Sequence, residues 1–250
     1  MTNPFVRKLD HHTPLSTEHR RDIEAMTAQV QHLRAHETII RDGDEPHVVN
    51  VVLSGWVCRC KILPDGRRQI VSLFLPGDMC DPYVFLLGAM NQTLDTLTPV
   101  TLAAVPAESI RAMTASGADL AEALWWQILS SIEIQREWTT SLGRRTAVER
   151  LAHFFCEVSA RLVSVGLSNG SDCEMPLTQT DLADISGLST VHVNRSLQSL
   201  RASKLIELRG RRLIIHDHQG LVDVAMFDPT YLHRRGGEQT TRRQAFRVAL

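Results

Sequence analysis

Val191, Arg195 and Gln198 are four and three residues apart in the run STVHVNRSLQSLR (Ser189–Arg201), with Thr190, His192 and Asn194 beside them. On a helix that spacing is i, i+4 and i+7, so the three side chains share one face. A guanidinium can bond the O6 and N7 edge of guanine twice, amides pair with adenine, and a bare valine suits a thymine methyl. Val193, Leu197 and Leu200 recur at the same spacing on the other side and supply an apolar face to bury. The chemistry on offer is recognition of base edges in a major groove. The plainer alternative is a helical hairpin with a solvated polar face.

The residues just upstream must position that helix. In LTQTDLADISG, Leu182 and Ile185 mark one apolar face, Thr178 is an N-cap, and Asp181 follows three residues later. A hydroxyl acceptor and a carboxylate at the positive helix end satisfy orphan amides. Gly187 can take the left-handed conformation that ends this helix, and Ser189 can cap the next. Thr178, Gln179, Ser189 and Thr190 therefore join the candidate nucleic-acid contacts. The following stretch, KLIELRGRRLIIHD (Lys204–Asp217), predicts a β-hairpin about Gly210 with Arg209, Arg211 and Arg212 at its tip. A basic hairpin directly after a recognition helix is a wing beside phosphates. A solvated basic turn would need no such placement.

Charge is distributed accordingly. Residues 1–141 hold 12 Lys+Arg against 17 Asp+Glu, and residues 142–250 hold 15 against 11. The positive excess lies with the helix pair, and its modest size calls for a local patch. No apolar run is long enough to span a membrane, and the N-terminus lacks an apolar signal core. The 5 cysteines do not form a disulfide framework in a chain of 250 residues. These features read as a soluble cytoplasmic protein.

Along the chain, residues 14–30 predict a short helix capped by Ser16, with Ile23, Met26 and Val30 on its apolar face. From His36 the runs HETIIRDGD, VVNVVLSGWVCRCKIL, RRQIVSLFLPGDMC and TLDTLTPVTLAAVP are strand-like, and Asp65 and Gly66 mark a hairpin turn. They predict a β-sandwich or barrel-like roll, with PYVFLLGAM (Pro82–Met90) as a short helix packed on it. Residues 117–141 predict a long helix with Leu120, Leu124, Ile128, Leu129 and Ile132 on a broad stripe, enlarged by Trp125, Trp126 and Trp138. That stripe is either core or a seam against a second copy. Gly143 is read as its end, and residues 166–174 as a loop. The expected units are a sensor roll (1–116), a dimerisation helix (117–142), a winged helix-turn-helix (143–233) and a disordered tail (234–250).

The order β-roll, long helix, winged helix-turn-helix resembles the Crp/Fnr family of bacterial transcription regulators across residues 14–233. The motifs that carry the resemblance are LSGWV at Gly55, PDGRRQ at Gly66, LPGD at Gly77, ERLAHFF and DLADISGLSTVHVNRSLQSLR. It implies an α+β fold whose roll is cyclic-nucleotide-binding-like. It implies a homodimer joined along the long helix, here through Leu120, Leu124, Ile128 and Ile132. It also implies effector-controlled binding to a palindromic promoter site with a TTGA-like half-site, and contact with RNA polymerase in activators. The family commonly has a glutamate four residues before its key arginine. Val191 stands there and replaces a cytosine N4 acceptor with an apolar group.

The effector region departs further. Members that bind cyclic AMP hold its phosphate with an arginine and a following Ser or Thr after the PGD-type turn. No Lys or Arg lies between Arg68 and Arg111, and the cation position falls near Leu94, followed by Asp95. A buried phosphate without a cation is costly, and a carboxylate repels it. Cyclic AMP is therefore not expected, and Met90, Leu94 and Leu97 are candidates to fill the space. The oxygen-sensing branch ligates an iron–sulfur cluster with four cysteines, three near the N-terminus. No cysteine precedes Cys58, so that cofactor is not expected either. Cys58 and Cys60 read as small core residues, and Cys173 as a loop thiol. His11 with His12, and His216 with His218, read as surface residues without further metal ligands at suitable spacing. No cofactor is predicted; haem stays open, with no motif for it.

A small-molecule-binding module, such as a kinase-type cyclic-nucleotide regulatory domain, is the alternative from another class. The winged helix-turn-helix and the cation-free cassette argue against it. No P-loop, G-x-S-x-G, H-E-x-x-H or dinucleotide fingerprint marks an enzyme.

Overall fold

Two four-stranded antiparallel sheets face each other in the first half of the chain. The computed structural model describes residues 3–80, 86 and 88–233. Most of the segment read as a short helix at 82–90, and the tail 234–250, lie outside the described residues. One sheet has the order β1 (Val30–Leu33), β8 (Val100–Pro106), β3 (Val48–Ser54), β6 (Met79–Cys80). The other has β2 (Thr38–Ile40), β7 (Thr93–Thr96), β4 (Val57–Ile62), β5 (Arg68–Phe74). The β-branched run VVNVVLS makes β3 a central strand buried over most of its length. Hairpin β4–β5 turns at Asp65 and Gly66, as the sequence predicts.

Helix α1 (Pro4–His12) was not expected from the sequence. Its signal was present: Asn3 caps it, Pro4 opens it, and Phe5, Val6 and Leu9 are buried. Its start packs on the LPGD turn so closely that a Cβ on Gly77 would stand 2.7 Å from the Pro4 carbonyl oxygen. Ser16 caps α2 (Thr17–Met26) as predicted, but Val30 belongs to β1 and not to that helix.

A short α3 (Ala107–Ser116) leads into α4 (Ala118–Arg144), 27 residues and about 40 Å long. Gly143 lies inside α4, so it does not break the helix. The break comes at Arg145, where Thr146 opens α5 (Ala147–Ser164) with a capping box to Glu149. The remaining elements are β9 (Asp172–Glu174), α6 (Gln179–Ser186), α7 (Thr190–Ala202), β10 (Ile206–Arg209), β11 (Arg212–Ile215), α8 (His218–Ala225) and a 3-10 turn at Pro229–Leu232. The segment read as a loop at 166–174 thus ends in a strand, because Cys173 pairs with Leu213 and extends the hairpin to three strands. Among the described residues no helix is long and apolar enough to cross a membrane.

Candidate nucleic-acid interface

Helix α6 begins with a complete capping box. The Asp181 amide donates to Thr178 Oγ1 (3.1 Å), and the Thr178 amide donates to Asp181 Oδ2 (3.0 Å). Gly187 ends the helix at φ +61°, a left-handed turn for which glycine pays no steric penalty. Ser189 then opens α7, accepting from the His192 amide at 3.3 Å and lying 2.9 Å from His192 Nδ1.

Val193, Leu197 and Leu200 are buried, and Arg195 and Gln198 point to solvent with Val191, which is 57% exposed. Asn194 is half-buried and donates to Gln179 Oε1 at 3.3 Å, tying the starts of the two helices together. No acidic residue lies on α7, so its outer face offers donors, amides and one apolar group. Thr178, Gln179, Ser189, Thr190 and His192 are exposed beside it.

The wing turns through Gly210 (φ +57°) and Arg211 (φ +63°). Two successive positive φ values are those of a type I′ hairpin, whose twist matches the strands. Arg209, Arg211 and Arg212 are all exposed, but not equivalent. Arg212 makes a two-pronged pair with Asp172, Nε to Oδ1 at 3.0 Å and Nη2 to Oδ2 at 2.6 Å. That carboxylate neutralises one of the three cations expected at the tip. Cys173, next to Asp172, is buried on β9 and is not an open loop thiol. Burial first, and then the neighbouring Asp172, push its pKa up to about 11, which makes it a poor nucleophile.

The long helix corrects another expectation. Leu120 and Leu124 are 1% and 0% exposed and pack in their own chain's core with Phe5, Val49 and Ile110. The outward stripe is Trp125 (55% exposed), Leu129 (56%) and Ile132 (40%), at i, i+4 and i+7. Ile128 is half-buried at its margin. Of the four residues assigned to a seam, only Ile128 and Ile132 are therefore available for one.

Three units meet at a charged junction that sequence reasoning missed. Glu157 on α5 is fully buried and accepts from Trp138 Nε1 on α4 (3.1 and 3.2 Å), Tyr231 Oη (2.9 Å) and Arg161 Nη1 (3.1 Å). Arg161 Nη2 donates to Asp78 Oδ2 of the LPGD turn (2.8 Å) and to the Leu73 carbonyl (2.7 Å). Lys8 of α1 pairs with the same Asp78. Burial opposes ionisation of Asp78, but Lys8 and Arg161 outweigh it and hold the carboxyl below its ordinary range. Burial raises Glu157 in spite of Arg161 and its donors. Nearby, His153 is buried against Phe227 and Tyr231. Burial and Arg145 push it down to about 3 although Glu137 Oε1 is 3.3 Å away. Arg145 holds that carboxylate at 2.6 Å, so His153 stays neutral at ordinary pH.

In the roll, Leu94 is buried with Val52, Val57, Phe74, Val100 and Leu102. Asp95 accepts from Thr38 Oγ1 at 2.8 Å and from Cys60 Sγ at 3.4 Å. Met90 and Leu97 are also buried, but each belongs to a different apolar cluster, so the three do not fill one space together. Cys58 and Cys60 are buried as expected. His12 is not a plain surface residue, because its ring stacks on Trp126 at 4.6 Å.

Two family models match the chain: a Crp-like helix-turn-helix domain over residues 149–224 and a cyclic nucleotide-binding domain over residues 30–116. The nitrogen fixation regulation protein FixK of Azorhizobium caulinodans is 33% identical over 191 residues, covering 73% of each chain. The transcriptional activator protein FnrL of Cereibacter sphaeroides is 29% identical over 210 residues, covering 80% of this chain and 83% of its own. The solved structure of FixK2 from Bradyrhizobium japonicum superposes with a TM-score of 0.69 at 25% identity, over 78% of this chain and 96% of that one. With a capped helix pair, a wing and a roll in that order, the chain belongs to the Crp/Fnr family of DNA-binding transcription regulators, which are not enzymes.

Proposed function

We propose that the protein acts as a homodimer on an inverted-repeat promoter site. One observation carries this reading: the outward face of α7, where Val191, Arg195 and Gln198 are exposed on a helix that carries no acidic residue. Arg195 reads a guanine, Val191 meets a thymine methyl, and Asn194, Gln198 and His192 assist. Thr178, Gln179, Ser189 and Thr190 approach phosphates from the two helix starts, and Arg209 and Arg211 approach them from the wing. Trp125, Leu129 and Ile132 form the seam with a second copy, which sets two α7 helices about 34 Å apart. RNA polymerase is the further partner on the promoter, a reading in keeping with relatives named as transcriptional activators. Selection from a random duplex pool tests this reading. The expected product is an inverted repeat with half-sites one helical turn apart, bound by a species that sediments as a dimer. Full-affinity binding of a monomer to one half-site would overturn it.

The roll's effector, in this reading, is neither cyclic AMP nor cyclic GMP. Leu94 and Asp95 stand where a phosphate needs a cation, and Asp95 is already tied to Thr38. Losing one charge-assisted phosphate contact costs about 1.5–3 kcal/mol, a weakening of roughly 10- to 150-fold before repulsion is counted. Calorimetry with either nucleotide at millimolar concentration should show no binding heat. Micromolar binding that also tightened DNA affinity would refute it. No iron–sulfur cluster or other resident cofactor enters this reading.

A further inference from the structure

Strand β5 is the outer strand of its sheet and pairs with β4 alone among the described strands. Edge strands present unpaired backbone groups, and proteins cover them. Here the cover comes from three elements outside the roll. Gln135 of α4 donates to the Val71 carbonyl at 2.6 Å and to Ser72 Oγ at 2.8 Å. The register shifts opposite Arg59 and Cys60, which pair with Ser72 and Ile70, so Val71 is a bulged residue with no partner in β4. Arg161 of α5 takes the Leu73 carbonyl. At the start of the strand, Gln69 Nε2 donates to the Ile185 carbonyl in the last turn of α6, at 3.2 Å. Arg68 faces two carboxylates of the same helix, Asp184 at 3.7 Å and Asp181 at 3.9 Å, and also donates to Cys58 Sγ at 3.4 Å.

One strand edge therefore meets the long helix, the first helix of the DNA-binding unit and α6. We propose that this edge registers the DNA-binding domain against the roll, and that Arg68 and Gln69 are positioning residues for DNA recognition. They hold the inward side of α6. Arg150 of α5 bonds the neighbouring Ser186 carbonyl and the Ser141 and Leu142 carbonyls of α4, so α6 is fixed on both sides. The contact leaves Gln179, Val191 and Arg195 exposed. It orients the recognition helix and does not occlude it.

The consequence depends on two half-sites being engaged at once, so the inference rests on the palindromic dimer proposed above. Within a dimer the second half-site binds at an effective concentration set by how well the second helix is already oriented. Loosening β5 from α6 lowers that effective concentration and leaves the contacts of one helix with one half-site intact.

The test is fluorescence anisotropy of the full-length chain on two duplexes: the palindrome that the wild type selects, and the same duplex with one half scrambled. For the variant carrying both Arg68→Ala and Gln69→Ala, affinity for the palindrome should fall at least about tenfold, while affinity for the single half-site changes less than about threefold. Its base preference should not change. Arg68→Asp alone should lose at least as much on the palindrome, and adding Asp184→Arg should recover most of it. This second arm holds if the alanine variant melts early, because the reversed pair keeps the bulk of both residues. Equal losses on both duplexes would assign the residues to the fold of the helix-turn-helix and overturn the inference. Unchanged palindrome affinity, or no recovery in the reversed pair, would also overturn it. A wild type that selects no palindrome would refute the dimer reading itself, and this inference with it.

Discussion

Helices α4 and α7 both hold apolar residues out to solvent, and they differ in the company those residues keep. On α4 Trp125, Leu129 and Ile132 form a continuous stripe with Ile128 at its margin, and Leu142 is exposed separately near the helix end. On α7 there is one, Val191, and its neighbours are Arg195, Gln198, Thr190 and His192. A continuous stripe gains only by burial against another apolar surface, which suits a protein partner. A single valine among hydrogen-bonding groups matches the edge of a base pair, where one methyl lies beside donors and acceptors. The contiguity of the apolar groups on α4, against the isolation of Val191 on α7, separates the two surfaces.

The comparison can be broken most directly at Leu129. Leu129→Asp sets a carboxylate in the middle of the stripe, so two of them meet across the seam. Sedimentation should show a monomer, and affinity for a palindrome should fall by more than about 100-fold as the second half-site's avidity is lost. A variant that stayed dimeric would move the seam elsewhere.

Val191→Glu makes the sharper test of α7. It restores an acceptor for cytosine N4 and should shift one position of the half-site from a T·A to a C·G preference, a change of about 1–3 kcal/mol in relative affinity. An unaltered preference would mean that Val191 does not face the bases.

The smallest effect is expected at the wing. Arg211→Ala should flatten the salt dependence by about one phosphate contact, weakening all sequences alike. Arg212→Ala should leave that slope nearly unchanged, because Asp172 already holds its guanidinium. Identical slopes for the two variants would show that the Asp172 pair opens on DNA.

The same contrast explains what could be read in advance. The helix pair was legible almost residue by residue, since caps, a left-handed glycine and a repeat of three and four residues are local signals. Thr178, Gly187, Ser189, Val193, Leu197 and Leu200 all take the places that those signals imply. The exposed stripe on α4 was legible only in part. Its apolar residues cover two sides of the helix, and periodicity shows that residues share a face without showing what the face meets. Leu120 and Leu124 share the spacing of the stripe, but α1 and the roll cover them.

The sequence alone determined the order roll, long helix, helix pair and wing, the polar outward face of α7 and the lack of Lys or Arg between Arg68 and Arg111, because each depends on residue type and short spacing. Only the tertiary structure decided which charges are buried and with whom. Lys8, Asp78 and the Glu157–Arg161 pair of α5, distant from one another in the chain, meet at one junction, and Arg68 of the roll meets Asp184 of α6. A charged residue carries no local sign of its burial. The cost of removing it from water is met only where the folded chain brings its counter-charge and hydrogen bonds within reach.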